Sequence, residues 1–347
     1  MERKRDSNIE LFRIVTMILI VAHHYVIHSG LLPLALGDFY SAKSLFVLLL
    51  GAWGKIGINC FVLITGYFMC TKQISFRKFL KLFLPFYFYK IIIFLIFAVS
   101  GSVELSPRFI LSSILPFVEV KDRFLDCYLL FFCFIPFLNI LISNITKRQF
   151  QLLLGLCLLI YSIFPSIGLK LSYSHVSWYM VVFLIAAYLR LYLPKIMANT
   201  LFVRLGLLCS LVLCSISVIA GSYVCKFLHM GWPYMFVMDS VTPLAVATSI
   251  FAFLFFKTIQ ISYNRVINVV ASSTFGVLLI HDNCRTIKEW LWIDLLECEK
   301  YYANNIYLHA IISIICVYVV CTLIDFVRIR CLEKSFFSWY DKRKGMD

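Results

Sequence analysis

Three side chains able to do proton and group-transfer chemistry fall at helical spacing within one apolar run. In "ELFRIVTMILIVAHHYVIHSG" (10–30), Glu10 and Arg13 are three residues apart, and His24 lies eleven beyond Arg13. Residues i and i+3 share a helix face, so the carboxylate and the guanidinium can pair. Eleven residues make three turns, so His24 sits over Arg13 on that face, about 16 Å further along. His23 points roughly 100° away. Each residue also has a plainer role: Arg13 can snorkel toward headgroups, and an imidazole among apolar residues usually just packs and hydrogen-bonds. What singles out His24 is its alignment with a guanidinium able to hold a phosphate or carboxylate. Such an imidazole can remove a hydroxyl proton as a general base, or accept an acyl group transiently. Neither route needs a metal.

Other titratable residues in apolar surroundings are few. "CTKQISFRKFLKLFLPFYFYK" (70–90) carries Arg77, Lys78 and Lys81 ahead of Pro85, with Lys90 continuing deeper. Arg offers a bidentate fork and Lys a point charge, which together make a phosphate clamp; ordinary topological charge is the alternative. Near the end of another run stand His281, Asp282 and Asn283. The last two either cap a helix or join His281 in a site. Charged groups deep in a bilayer cost several kcal/mol and so face bundle interiors or aqueous cavities.

The elements that must hold these residues are membrane spans. Of 347 residues, 62% are hydrophobic and only 14% charged, with mean hydropathy +0.90. That excludes an ordinary soluble domain, and the long continuous apolar runs exclude a β-barrel. Ten runs are long enough to be read as spans: 9–28, 50–70, 79–100, 124–143, 150–167, 176–193, 202–222, 236–256, 266–283 and 304–327. A further stretch, "LSPRFILSSILPFVE" (105–119), reads as an interfacial or re-entrant helix. With the N-terminus in the cytoplasm, 21 of the 32 Lys and Arg residues fall on the inner side, as the positive-inside rule requires. The expectation is an all-α polytopic bundle of ten transmembrane helices with both termini cytoplasmic. Its membrane domain spans 1–330 and a basic tail spans 331–347. The basic first residues read as the flank of a retained first span rather than of a cleaved signal. The net charge of +14 is explained by topology and anionic lipid headgroups, without nucleic acid. The 13 cysteines are scattered and contain no C-x-x-C pair, so no metal site is assigned; only Cys225, Cys284 and Cys298 fall where an external disulfide is an option.

The chain resembles the membrane acyltransferase 3 family. The Glu10, Arg13, His24 set is similar to that family's opening. The likeness continues through "GKIGINCFVLITGYFMC" (54–70), "FRKFLKLFLPFYFY" (76–89), "FLDCYLLFFCFIPFLNILI" (124–142), "SWYMVVFLIAAYLRLYLPK" (177–195) and "SSTFGVLLIHDN" (272–283). Single motifs here are weak; six in order along ten spans are strong together. Two features depart from the family pattern. The Arg-x-x-Arg interval is kept by Lys78 and Lys81, with Arg77 offset by one. The usual Trp-Phe before the fourth span is Arg123-Phe124.

The resemblance implies an integral-membrane O-acyltransferase of the cell membrane. It would move acetyl or another short acyl group from acetyl-CoA, a co-substrate and not a bound cofactor, to a hydroxyl of a surface polysaccharide or lipid-linked glycan. His24, Arg13 and Glu10 are then the catalytic set, and Arg77, Lys78, Lys81 and Lys90 hold the donor. Trp178, His281, Asp282 and Asn283 are assigned to the acceptor. Glycan-assembly enzymes and membrane lipid are the expected partners. Two other classes fit the mid-membrane polar residues: a polysaccharide exporter of the same architecture, and a non-catalytic scaffold in which His24 is dispensable.

Overall fold

The structure is a computed structural model that describes residues 6–39, 41–103, 106–115, 124–169, 174–228, 233–237 and 239–345, all-α among those residues. The chain opens with α1 (Ser7–Ile27), turns through the short α2 (Leu31–Gly37), and returns along α3 (Ala42–Leu50) and α4 (Gly54–Met69). The last two join through a single 3₁₀ turn at Gly51–Trp53. Then follow α5 (Phe76–Val99), α6 (Pro107–Ile114) and α7 (Phe124–Asn144). A π turn at 159–163 links α8 (Lys147–Leu158) to α9 (Phe164–Ser166). Next come α10 (His175–Tyr192), α11 (Thr200–Leu228) and α12 (Pro243–Thr258). The chain finishes with α13 (Arg265–Ser272), α14 (Thr274–His281), α15 (Arg285–Glu289), α16 (Ile306–Arg328) and α17 (Lys334–Lys344).

Among the described residues, eight helical stretches are long and apolar enough to cross a membrane, and up to nine if the segments 265–281 and 285–301, bent by 98° at their junction, count as one. The ten-run expectation meets its limits at two places. In the run 236–256, helix begins only at Pro243, where Pro's fixed φ and missing N–H suit a first helical position; the resulting α12 has 16 residues, short for a span. The run 266–283 breaks at Ser273 and ends at His281. Conversely, the second run extends back to Ala42, where Ser41 Oγ accepts the Ser44 N–H at 3.0 Å, giving one 28-residue stretch. Within 105–119, α6 covers 107–114, while 104–105 and 116–123, Arg123 among them, lie outside the described residues. All 13 cysteines are free thiols.

Position in the bundle follows side-chain type. The first span has 61% of its apolar window buried, against 22% for α11 and 17% for α8–α9. α1 packs on α4, α12, α13, α14 and α16 and shares the bundle centre with the 42–69 stretch, 67% buried, while the leucine-rich α8 and α11 form the lipid-facing rim. Pro85 and Pro136 sit inside α5 and α7; neighbouring helices and local adjustment hold such interruptions together in a membrane. In the interior, Asn59 Nδ2 donates to the Ser240 carbonyl at 2.7 Å, and Asn59 Oδ1 accepts the Trp178 indole N–H at 3.0 Å. That one amide ties α4 to α10 and to the turn before α12. Trp178 is thus fully buried, with its indole N–H spent on Asn59.

Loss of the amide in Asn59→Ala strands a buried indole N–H, and an unsatisfied buried donor costs about 1–3 kcal/mol. Thermal denaturation of the detergent-purified variant is expected to show a lowered midpoint. An unchanged midpoint would mean the pair adds nothing net to stability.

Candidate active site

His24 and His281 meet between α1 and α14. The Val277 carbonyl, one turn back on α14, lies 2.6 Å from His281 Nδ1. A carbonyl only accepts, so Nδ1 carries the proton and Nε2 of neutral His281 is bare. That bare nitrogen is 3.0 Å from His24 Nδ1, which therefore donates to it. The chain of two bonds fixes His24 with its lone pair on Nε2. Both tautomers are assigned from this network for neutral rings.

His24 Nε2 faces a carboxylate. α14 stops at His281 with Asp282 as its C-cap, and the chain then bends by 98° into α15. The break leaves Asp282 Oδ2 3.9 Å from His24 Nε2 and Oδ1 3.9 Å from His28 Nε2. The bend also returns Lys288, whose Nζ is 3.2 Å from Asp282 Oδ1. His28 is one turn beyond His24, with ring centroids 5.1 Å apart. Side-chain exposure rises from 13% at His24 to 18% at Asp282 and 28% at His28, so the cluster opens at the end of the bundle where α1 terminates. Asn283 Nδ2 donates to the Leu279 carbonyl at 2.9 Å, a helix-end bond. His23, the other histidine on this turn, is a packing group. Its Nδ1 donates to the Gly51 carbonyl at 2.5 Å, and its ring lies where a Cβ on Gly54 would collide.

At the opposite end of α1 is a cavity of about 1050 Å³. Its charged lining is Arg13, Arg77, Lys81, Arg265, Arg328 and Lys334 against Asp325 and Glu333, six cations to two carboxylates. Arg13 Nε and Glu10 Oε2 are 3.9 Å apart, an ion pair too long for a hydrogen bond; both atoms are buried without a hydrogen-bond partner among the described residues. The same holds for Asn268 Nδ2 and Asp325 Oδ2, both on cavity-lining residues. Arg328 is held by Asp325 and Glu333, each at 2.8 Å, and Tyr89 Oη donates to Asp325 Oδ1 at 3.0 Å. Gly276 is required there, because a Cβ would enter the Asp325 carboxylate.

The cavity recruits residues from beyond 330. Glu333, Lys334, Phe337 and Ser338 line it. Asp341 takes a bidentate bond from Arg77, 2.8 Å from Nε and 2.6 Å from Nη2. The Phe337 ring lies 4.9 Å from the Arg77 Cζ and 5.5 Å from the Lys81 Nζ. The segment read from sequence as a tail therefore folds onto the bundle.

Of the expected donor residues, Arg77 and Lys81 reach the cavity with Arg13. Lys78 does not line it and bonds the Gln73 carbonyl at 2.6 Å. Lys90 is buried against α6, donating to the Leu115 carbonyl at 2.7 Å. Arg265, Arg328 and Lys334 also line the cavity, though in sequence their charge only satisfies the topology rule; Asp325 and Arg328, at i and i+3 beside an apolar run, carried one readable signal. The His24–His28 spacing of four was a second, while nothing in the sequence pointed to Lys288. Neither His24 nor His281 lines the basic cavity. The cavity lining ends at Met17 and Leu278, both buried. Met17 is seven residues from His24, about 10 Å along α1, so an apolar plug separates cavity from histidines.

A family model described as an acyltransferase domain matches residues 6–326. No curated protein and no solved structure matches the chain. The match contains Glu10, Arg13, His24 and the His281–Asp282 turn, and stops short of Arg328 and α17. Spanning nearly the whole sequence, it establishes that the chain belongs to the acyltransferase 3 family and is a multi-pass membrane acyltransferase.

Proposed function

We propose that the protein transfers an acetyl or other short acyl group from acyl-CoA, taken up at the cytoplasmic face, to a hydroxyl of a surface polysaccharide or lipid-linked glycan at the outer face of the cell membrane. The single observation that carries this reading is the bare Nε2 of His24, held by its bond to His281 and set on the same α1 face as Arg13 and the basic cavity. α12 and the bent α13–α15 segment supply the remaining crossings of a ten-span bundle, with both termini inside. Glycan-assembly enzymes are the natural neighbours.

The cavity suits the donor. Its volume lies just above the ~300–1,000 Å³ range of ligand pockets, and its excess of cations matches a polyphosphate. Arg13, Arg77, Lys81 and Arg265 hold the anionic portion, and the acyl-bearing arm runs along the α1–α14 seam past Met17. Met17 is unbranched and adaptable, which suits a plug that must part for a thin chain. In the transfer step, His24 Nε2 takes the proton of the acceptor hydroxyl as its oxygen attacks the thioester carbonyl carbon. The C–S bond breaks, and the thiolate leaves to be protonated at the expense of the imidazolium. Asp282 steadies that imidazolium from 3.9 Å. His281 keeps the required tautomer throughout. A variant in which the acyl group rests on His24 before meeting the acceptor has the same requirements.

His24→Ala is expected to lose about 10²–10⁴-fold in turnover, the usual weight of a general base, with insertion and yield unchanged. Transfer of labelled acetyl from acetyl-CoA to membrane glycan measures it, and wild-type labelling in that variant rejects the assignment. Lys81→Ala is expected to raise KM for acetyl-CoA, more so at low salt, while Lys78→Ala leaves KM unchanged. Equal effects from the two would place the donor elsewhere. Met17→Trp is expected to lower kcat with little change in acetyl-CoA binding, measured by calorimetry; equal losses in both would remove the seam from the donor path.

A further inference from the structure

We propose that the outer mouth of the site is a divalent transition-metal site, made by His24, His28 and Asp282, and that Zn²⁺ bound there inhibits transfer. The ligand atoms of these three residues all lie within 4.8 Å of one another. His24 and His28 are one turn apart on α1, the spacing at which two imidazoles on a helix point to the same ion. Asp282 comes from the α14 break, so the third ligand arrives from a separate element and closes the set from the side. Two imidazole nitrogens and a carboxylate oxygen suit Zn²⁺, with a fourth position left for water. Tetrahedral coordination at about 2.0–2.1 Å brings ligands to about 3.3 Å from one another. His28, the most exposed of the three, has the freedom to turn inward by the difference.

The surroundings are those of a ligating histidine. A metal-bound imidazole donates its second N–H to a fixed acceptor, which sets ring orientation and tautomer. His24 already does so through Nδ1 to His281, and His281 in turn is anchored on the Val277 carbonyl. His281 is thereby excluded as a ligand, because its only bare nitrogen is occupied. His23 is excluded by its bond to Gly51. Lys288 opposes the ion: its ammonium lies on Asp282 Oδ1, which leaves Oδ2 on the His24 side for the metal.

Inhibition follows from a shared lone pair. The Nε2 that takes the acceptor proton is the one a metal would occupy, so both cannot proceed together. That part rests on His24 as the base; the ligand set does not.

The test uses the full-length protein in detergent, purified without an oligohistidine tag and titrated with Zn²⁺ by calorimetry. Wild type is expected to bind one ion. His28→Ala is expected to bind more than about tenfold more weakly for loss of one of three protein ligands, while its zinc-free turnover stays near wild type. His28→Gln serves if that variant is unstable. Lys288→Ala is expected to bind more tightly, a change of opposite sign that general damage to the site would not produce. In sealed vesicles, Zn²⁺ at the outer face is expected to inhibit wild type and to inhibit His28→Ala only at correspondingly higher concentration. No binding to wild type, or equal affinity in wild type and both variants, overturns the site. Binding with the expected pattern but without inhibition leaves the site standing and overturns His24 as the base.

Discussion

A polar side chain surrounded by hydrocarbon must find a partner inside the protein, and α1 carries more such side chains than any lipid-facing helix tolerates. Glu10, Arg13, His23, His24 and His28 all project from one span. Hydrocarbon cannot solvate them, and a charged group left unpaired in it costs several kcal/mol. The bundle answers by wrapping α4, α12, α13, α14 and α16 around α1. His23 is met by the Gly51 carbonyl, His24 by His281, and Arg13 by the cavity. The central position of α1 is a consequence of this demand.

The same constraint shapes the partner helices. α14 places His281 so that its own backbone, at Val277, dictates the imidazole tautomer. A helix that ran on past His281 would carry Asp282 away around the next turn. Ending there and bending by 98° instead leaves Asp282 beside His24 and brings Lys288 back to it. A helix interruption at membrane depth is tolerated where it is buried in protein or lines a cavity, and here His281 and Asn283 are buried. The break that spoils α13–α14 as a simple span is the feature that assembles the histidine cluster.

At the other end of α1, the basic cavity is partly neutralised from within. Asp325 and Glu333 hold Arg328, and Asp341 holds Arg77. Glu333 and Asp341 lie beyond the family-matched residues 6–326 and complete a wall that the matched residues begin. Clustered cations repel one another when the cavity is empty; carboxylates that can yield to phosphates relieve that repulsion. Phe337 beneath Arg77 and Lys81 orients both by cation–π attraction.

The apolar runs and the bias of positive charge were legible in the sequence because they answer to the bilayer alone. Length and hydropathy decide whether a segment enters hydrocarbon, residue by residue, whatever its neighbours are. The face shared by Arg13 and His24 was legible too, since helical period is local. Contacts between helices were not. Nothing local says that His281 meets His24, that Lys78 turns away while Lys81 turns in, or that Trp178 is spent on Asn59. Nor does it say that residues past 330 close the cavity. Those outcomes depend on which faces meet once every polar group has sought a partner, and only the folded bundle decides that.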